Sequence, residues 1–297
     1  MAKLEQLVAP GYPVFLGSEL QQPEPGQAYF HVLPIPMEES VSYGGGTAEG
    51  PAAILKASWQ LETWDGKSDP SSRGIYTHGP LDTSGSPEEV IERIAAQTAA
   101  LVKTGRFPVG LGGEHTVTYG IIKGLVDAGL ENFGVVQIDA HADLRDAYEG
   151  NPFSHGSAMK RIVDLDIPLF QLGVRALCRE EIATRKLFGV GHLDADILVP
   201  KNATSIDLPD DFPDYIFFTL DIDGIDPSIF PSTGTPVPGG LGWYQTLSLF
   251  ESVVRQRHII GMDIMEFSPI PGFHGYDFSA ALLVYKMMGI VEREKFG

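Results

Sequence analysis

The sequence has almost no cysteine, little basic charge and no long apolar run. Its one cysteine, Cys178, excludes an internal disulfide framework and fits a reducing cytoplasm. We expect Cys178 to be a buried or half-buried thiol, because no Cys–His spacing or basic cluster marks it as a nucleophile. The apolar stretches are too short to span a bilayer, and the N-terminus lacks a signal-peptide pattern. These features predict a cytoplasmic protein without membrane contact.

Basic residues are outnumbered: 21 Lys and Arg stand against 39 Asp and Glu, which gives a formal net charge of −18. Phosphate contacts need a basic surface, so the composition disfavours nucleic-acid binding. A negative field attracts a cationic small molecule, although the same charge could serve solubility alone. With 43% hydrophobic residues, the chain can form a large core.

Apolar runs alternate with helical patterns along the chain, which indicates a parallel sheet covered by helices on both faces. Residues 1–27, rich in Pro, Gly and Gln, are expected to form an irregular arm of a single α/β domain covering residues 1–297. Ser86 begins a helix, with Pro87 in its first turn and Glu89 completing a capping box. We predict strands at residues 28–33, 107–111, 133–138, 168–174, 215–220 and 258–262, and helices near residues 50–55, 86–105, 157–164 and 279–295. Loops are expected at 34–50 and 227–243.

The most informative motif is Asp-Ala-His-Ala-Asp at residues 139–143, directly after the apolar run at 133–138. Alternation along an extended chain would turn Asp139, His141 and Asp143 towards one side. Two carboxylates and an imidazole at a strand end make half of a metal site. Alone, the segment could equally be a polar strand-to-loop turn.

Two further motifs supply partners. The run at 107–111 leads into Gly-Gly-Glu-His, ending at His115, and the run at 215–220 leads into Asp-Ile-Asp-Gly-Ile-Asp-Pro at 221–227. Hard oxygen ligands dominate and no thiolate takes part, so manganese suits better than structural zinc. Asp226 is expected to brace its loop. The predicted ligands of two Mn²⁺ ions per chain are His115, Asp139, His141, Asp143, Asp221 and Asp223.

Together with Ser-His-Gly at 154–156 and Met-Asp-Ile-Met-Glu at 262–266, these motifs resemble the ureohydrolase family, which contains arginases and agmatinases. The resemblance covers about residues 40–290. It implies an α/β/α sandwich around a mainly parallel sheet of about eight strands. It also implies one manganese on His115, Asp139, Asp143 and Asp221, and another on Asp139, His141, Asp221 and Asp223.

The resemblance implies roles for further residues. Glu266 would hold the substrate guanidinium, and its alternative is a surface ion pair. His155 would transfer protons and contact substrate near the site mouth, and its alternative is a plain turn residue. Thr235 would help to line the substrate pocket. Asp143 would be a catalytic residue because it would hold one of the metal ions that take part in the reaction.

The substrate implied by the resemblance is a small cationic guanidino compound. The run at 144–150 is more similar to agmatinases, because arginases have Asn where this chain has Arg145. We therefore expect hydrolysis of agmatine to putrescine and urea, a step of polyamine biosynthesis. Arg145 would instead favour an anionic tail such as that of guanidinobutyrate. Arginine, guanidine, guanidino-polyamines and formiminoglutamate stay open, and the candidates for binding a distal amine are Asp146, Glu149, Glu180 and Glu181.

Two other function classes compete with this interpretation. A deacetylase-type amidohydrolase has a similar fold but fewer metal ligands, and a non-enzymatic relative would have lost ligands. The six ligand positions are all filled here, which disfavours both. By resemblance we also expect a homo-oligomer, a trimer or a hexamer.

Overall fold

The computed structural model describes residues 11–297, in which eight strands form one sheet with the order β2-β1-β3-β8-β7-β4-β5-β6. Every neighbouring pair of strands is parallel. The strands are β1 (Phe30–Ile35), β2 (Ile75–Thr77), β3 (Phe107–Gly112), β4 (Phe133–Ile138), β5 (Leu169–Leu172), β6 (Gly191–Leu193), β7 (Tyr215–Asp221) and β8 (His258–Met265).

Helices connect most of these strands. They are α1 (Gly50–Ala57), α2 (Pro87–Val102), α3 (Thr116–Asp127), α4 (Ala158–Val163), α5 (Arg179–Phe188), α6 (Ala195–Leu198), α7 (Trp243–Gln256) and α8 (Gly275–Phe296). The sequence did not predict β2, β6, α3, α5, α6 or α7. Within residues 11–297, none of the helices combines the length and the apolar character needed to cross a bilayer.

The two faces of the sheet pack into separate apolar clusters. In β4, Val136 belongs to the cluster that also holds residues of α1, α7 and α8. Its neighbour Val135 points the other way, into the cluster formed with α2, α3 and α4. Successive strand residues alternate between faces, so a sheet buried on both sides has a continuous apolar sequence. The predicted α/β/α sandwich is therefore confirmed.

The start of α2 follows the predicted capping box. The Ser86 hydroxyl accepts a hydrogen bond from the backbone N–H of Glu89 at 3.3 Å, and the Glu89 carboxylate accepts one from the backbone N–H of Ser86 at 2.9 Å. Pro87 lies in the first turn, where its missing N–H costs nothing.

Some predicted boundaries were wrong. The first strand starts at Phe30, two residues late, and continues through Pro34 to Ile35. The last strand continues to Met265, so Asp263 lies inside it and not beyond its end. Boundaries fail because ladder pairing with neighbouring strands, rather than local propensity, decides where a strand stops. Residues 1–10 of the predicted arm lie outside the described residues, and residues 11–27 contain turns but no helix or strand. The single-domain organisation stays a prediction.

Parallel pairing brings the predicted site motifs together. The strands β3, β8, β7 and β4 are adjacent in the sheet, so their carboxyl ends meet at one edge. His115 follows β3, Asp139 follows β4, Asp221 ends β7 and Glu266 follows β8. Ligands of open α/β sheets bind at this edge.

A buried histidine pair joins β1 to the chain after β2. His31 Nδ1 lies 2.9 Å from His78 Nε2, and His31 Nε2 lies 3.0 Å from the carbonyl of Pro25. A carbonyl only accepts, so His31 carries its proton on Nε2 and accepts from His78 through Nδ1. Both rings are therefore neutral. Burial lowers the pKa of each histidine to about 4.

This pair predicts acid sensitivity. Its contribution to stability is fully present above the unfolded-state pKa of 6.5 and is lost as pH falls towards the folded-state value of about 4. We expect the free energy of unfolding of manganese-loaded protein, measured by urea titration, to fall from pH 7.5 to pH 5. A His31→Gln/His78→Gln variant should show a smaller fall. An equal fall in both proteins would contradict the assignment.

Candidate metal centre

Three carboxylates surround one nitrogen of His115. Its Nδ1 atom lies 3.1 Å from Asp139 Oδ2, 3.0 Å from Asp143 Oδ2 and 3.4 Å from Asp221 Oδ2. The other ring nitrogen, Nε2, lies 2.9 Å from the hydroxyl of Thr219 in β7. The hydroxyl contact and the carboxylates together fix the plane of the ring. We refer to His115, Asp139, Asp143 and Asp221 as the first cluster.

A second group shares Asp139 with the first. His141 Nδ1 lies 2.9 Å from Asp223 Oδ2 and 3.6 Å from Asp139 Oδ1. Asp139 thus turns Oδ2 to His115 and Oδ1 to His141, as a carboxylate between two ions would. The ligand atoms in each of two sets could hold a metal ion: His115 with Asp139 and Asp221, and Asp139 with His141 and Asp223.

Asp221 is less symmetric than its predicted bridging role requires. Its Oδ2 faces His115, whereas Oδ1 accepts the backbone N–H of Asp223 at 2.8 Å. Contact of Asp221 with a second ion therefore stays a prediction.

The electrostatics of the two groups fit divalent cations. His115 Nδ1 is buried and makes no hydrogen bond, although three carboxylate oxygens lie within 3.4 Å. Burial and the charge of Asp139 raise the pKa of Asp143 to about 7. Burial and the charges of Asp223 and Asp139 raise the pKa of Asp221 well above its usual value. Metal ions would supply the positive charge that these crowded carboxylates lack.

Two residues at the site have left-handed backbone conformations. Asp143 has φ +52° and Glu266 has φ +61°, a region that residues other than glycine rarely occupy. Asp139, His141 and Asp143 converge as predicted, but not through strand alternation, since β4 ends at Ile138 and the backbone of Asp143 is left-handed. Such strained residues concentrate at functional sites.

These residues line an open cavity of about 440 Å³, within the range of small-molecule sites. His141, Asp143, Asp221, Asp223 and Glu266 contribute to its polar wall, as do His155 and Thr235. Every predicted site residue except His115 and Asp139 lines this cavity, and those two lie buried beside it.

The carboxylate of Glu266 is not at a surface ion pair. The residue is buried, and Oε1 accepts the backbone N–H of His115 at 2.8 Å. Burial and then the charge of Glu114 raise the pKa of Glu266 well above its usual value. An unpaired buried carboxylate facing a cavity is suited to binding a cation.

His155 is held by two residues that sequence reasoning did not select. Its Nδ1 lies 3.2 Å from the Ser40 hydroxyl, which donates to Glu114 Oε1 at 2.9 Å. Because that hydroxyl proton is committed to Glu114, Nδ1 of His155 is the donor in its contact, and Nε2 carries the lone pair. Burial lowers the pKa of His155. Glu114 lies within the Gly-Gly-Glu-His motif, but nothing local indicated its contact with Ser40.

The loop at 227–243 is braced as predicted. Asp226 accepts the backbone N–H of Ser228, Gly239 and Gly240 at 2.8–3.0 Å, so its bracing role is confirmed. Thr235, from the same loop, lines the cavity with Oγ1 3.4 Å from Asp223 Oδ2.

Of the four acidic residues considered for a distal amine, only Glu181 lines the cavity. Its oxygens already accept the backbone N–H of Cys178 at 2.7 Å and of Leu144 at 3.1 Å. Asp146 pairs with Arg161 on the surface at 2.8 Å. The remaining two, Glu149 and Glu180, are exposed.

Arg145 lines the cavity as well. Its guanidinium carbon lies 5.5 Å from the ring centroid of Tyr148, which lies edge-on to His155 at 5.3 Å. Within residues 11–297, no carboxylate forms an ion pair with Arg145.

Comparison with known proteins agrees with this geometry. A model of the Arginase family matches residues 28–289. The chain belongs to the arginase family. It is 38% identical over 280 residues to the N(1)-aminopropylagmatine ureohydrolase of Synechocystis sp., covering 87% of each chain. It is 31% identical over 271 residues to the agmatinase of Pyrococcus horikoshii, covering 90% of this chain and 93% of that one.

A solved structure has a similar fold. The crystal structure of agmatine ureohydrolase of Thermoplasma volcanium aligns with a TM-score of 0.82 and 27% identity, covering 94% of both chains. The predicted family and fold are thus confirmed, as is the prediction of a metal-dependent hydrolase of the ureohydrolase type.

The separation of His155 from the two candidate metal groups yields a prediction. Asp139→Asn removes the charge shared by both groups, so the number of manganese ions bound per chain should fall for both groups. His155→Asn should keep both ions, because His155 contacts Ser40 and not the carboxylates. Its turnover should fall by about 10²–10⁴-fold if it transfers protons. Elemental analysis beside steady-state kinetics measures both. Metal loss in the His155 variant would contradict the separation.

Proposed function

We propose that the chain hydrolyses a guanidinoalkylamine to urea and the corresponding amine, with N(1)-aminopropylagmatine or agmatine as substrate and two Mn²⁺ ions as cofactor. The observation that carries the proposal is the position of Glu266, a buried carboxylate with no ion-pair partner among residues 11–297, in the wall of the cavity that also exposes Asp143, Asp221 and Asp223. A guanidinium bound to Glu266 would lie beside both metal groups. The manganese ions would supply an activated water as nucleophile.

The protein residues would orient the substrate and move protons. Glu266 would accept two N–H groups of the guanidinium fork and hold its carbon over the metal groups. His155 would exchange a proton with the cavity through Nε2, since Nδ1 is committed to Ser40. Protonation of the leaving amine would then separate urea from the alkylamine. Thr235 would contact the substrate from the opposite loop.

Support for a polyamine-type tail comes from the relatives and from the cavity. Proteins named N(1)-aminopropylagmatine ureohydrolase reach 38% and 34% identity, and those named agmatinase reach 31%. The cavity is also lined by Tyr43, whose ring face can attract an ammonium group. Its volume of about 440 Å³ leaves room for a chain longer than agmatine. We therefore propose the aminopropyl-extended substrate before agmatine itself.

Arg145 favours a second candidate. A guanidinium in the cavity wall without an ion-pair partner in the described chain would bind a carboxylate tail, such as that of 4-guanidinobutyrate. Net charge opposes this candidate, because a chain at −18 attracts cations. We also propose that the protein is a homo-oligomer, either a trimer or a hexamer, and that it is cytoplasmic.

Substrate competition tests the proposed tail. With manganese-loaded protein, kcat/KM for urea release should be highest for N(1)-aminopropylagmatine, then agmatine, with arginine and guanidinobutyrate at least about tenfold lower. One lost charge-assisted hydrogen bond is worth about 1.5–3 kcal/mol, which accounts for that factor. A higher kcat/KM for guanidinobutyrate than for the cationic substrates would contradict the proposed tail and support the second candidate.

The variant Arg145→Gln separates the two candidates further. Removing a cation from the wall should raise kcat/KM for both cationic substrates and lower it for guanidinobutyrate. As a control, Arg161→Gln changes a nearby arginine that pairs with Asp146 outside the cavity, and should leave the order of substrates unchanged. A loss of agmatine hydrolysis in the Arg145 variant would show that this arginine assists the cationic substrate.

A further inference from the structure

A row of polar residues crosses the sheet one layer beneath the metal groups. Gln137 in β4 pairs in register with Thr219 in β7 and with Gln171 in β5, and Thr219 pairs with Asp263 in β8. Register partners in parallel strands place their side chains on the same face. All four residues are fully buried. We call Asp263, Thr219, Gln137 and Gln171 the polar row.

The polar row breaks the rule that strands of a doubly covered sheet are apolar. Two residues before Gln137, the same face of β4 carries Val135, which packs in the apolar cluster beneath α2, α3 and α4. Buried amides are destabilising unless each donor and acceptor is paired. Leu or Val would serve packing alone without that cost, so the amides need another explanation.

One end of the row is fixed by an arginine from α5. Arg185 Nε donates to Gln171 Oε1 at 2.8 Å, while its two terminal nitrogens form a fork with Asp194, each at 3.0 Å. Arginine has donors only, so Gln171 must turn its oxygen to Arg185 and its nitrogen away. Gln171 Nε2 then donates to Gln137 Oε1 at 2.6 Å.

Arg185 thereby determines the donor and the acceptor in every hydrogen bond from Gln171 to the metal groups. With its oxygen occupied by Gln171, Gln137 presents Nε2 to Asp139 and donates to Oδ2 at 2.7 Å. That oxygen is the one facing His115. Gln171 Nε2 also donates to the carbonyl of Ala142 at 2.7 Å, which holds the turn that places Asp143.

We propose that Gln137, Gln171 and Arg185 are positioning residues that orient Asp139 and Asp143 for metal binding in the first cluster. The inference rests on the proposed function for the identity of the metal. Gln137 contacts Oδ2 of Asp139, the oxygen that faces His115, whereas Oδ1 faces His141, and Gln171 holds the backbone next to Asp143. Although Asp139 is shared by both groups, weakening these contacts should therefore affect the ion of the first cluster more than the ion held by the second group.

The expected effect is a change in metal affinity. Gln137→Leu removes the donor to Asp139 and puts an apolar side chain of comparable size in its place. Gln171→Glu keeps the volume and the acceptor for Arg185, but removes both N–H donors. Loss of a residue that orients a metal ligand commonly weakens binding by about 10–100-fold. In both variants the ion of the first cluster should bind that much more weakly, and the affinity for the ion of the second group should fall less.

The control is a buried glutamine remote from the site. Gln245 in α7 donates to the carbonyls of Leu198 and Ala203, each at 3.0 Å, and accepts the backbone N–H of Gly242 at 3.3 Å. Its replacement removes these three hydrogen bonds without touching the polar row. Gln245→Leu should lose stability and keep two native manganese affinities.

In the experiment, the metal-free full-length chain is titrated with Mn²⁺. Binding is monitored by calorimetry and by electron paramagnetic resonance, because the spectrum of two coupled manganese ions differs from that of a single ion. Native affinities for both ions in Gln137→Leu and Gln171→Glu would overturn the proposal. Equal weakening of both ions, equal weakening in Gln245→Leu, or failure of both row variants to fold would overturn it too, because the row would then serve folding. Urea release from native protein is measured separately, so an inactive chain that binds two ions contradicts the proposed function alone.

Discussion

The fold of this molecule must hold together buried carboxylates that repel one another at the ends of β4 and β7. Asp139, Asp143, Asp221 and Asp223 lie where burial and mutual charge raise the pKa of Asp143 to about 7 and that of Asp221 well above its usual value. Divalent cations held by these carboxylates and by the neutral imidazoles of His115 and His141 would offset this charge. The surrounding structure holds these groups together at a cost in stability that a purely structural protein would avoid.

The parallel sheet supplies the rigidity that such crowding requires. Adjacent strands place the ends of β3, β8, β7 and β4 side by side, and the polar row beneath them turns the interior of the sheet into hydrogen-bonding support. The left-handed conformations of Asp143 and Glu266 are local strains that this support must hold in place. The candidate metal ligands thus lie at the ends of these strands, and the residues that support them lie within the same strands.

The cavity has an inner part formed at the strand ends and an outer part formed mainly by loops. The inner part follows strand ends, where register leaves little freedom. The outer part, with Tyr43, Arg145, Tyr148 and Glu181, is built from loops and the first turn of α5. Loops vary readily while the scaffold stays, so family membership fixes the reaction class and leaves the substrate tail to these few side chains.

The sequence by itself determined the capping box at Ser86 and the positions of the main strands along the chain, because each depends on residues that are neighbours in the chain. It also indicated the residues of the candidate metal groups, because each of their motifs follows an apolar run that predicts a strand. It could not determine short edge strands such as β2, the exact ends of β8, or the contacts of Ser40 with Glu114 and of Arg185 with Gln171. Those features depend on strand register and helix docking between segments distant in sequence. Only the packed sheet, in which side chains from separate strands share one buried layer, decides which donor meets which acceptor.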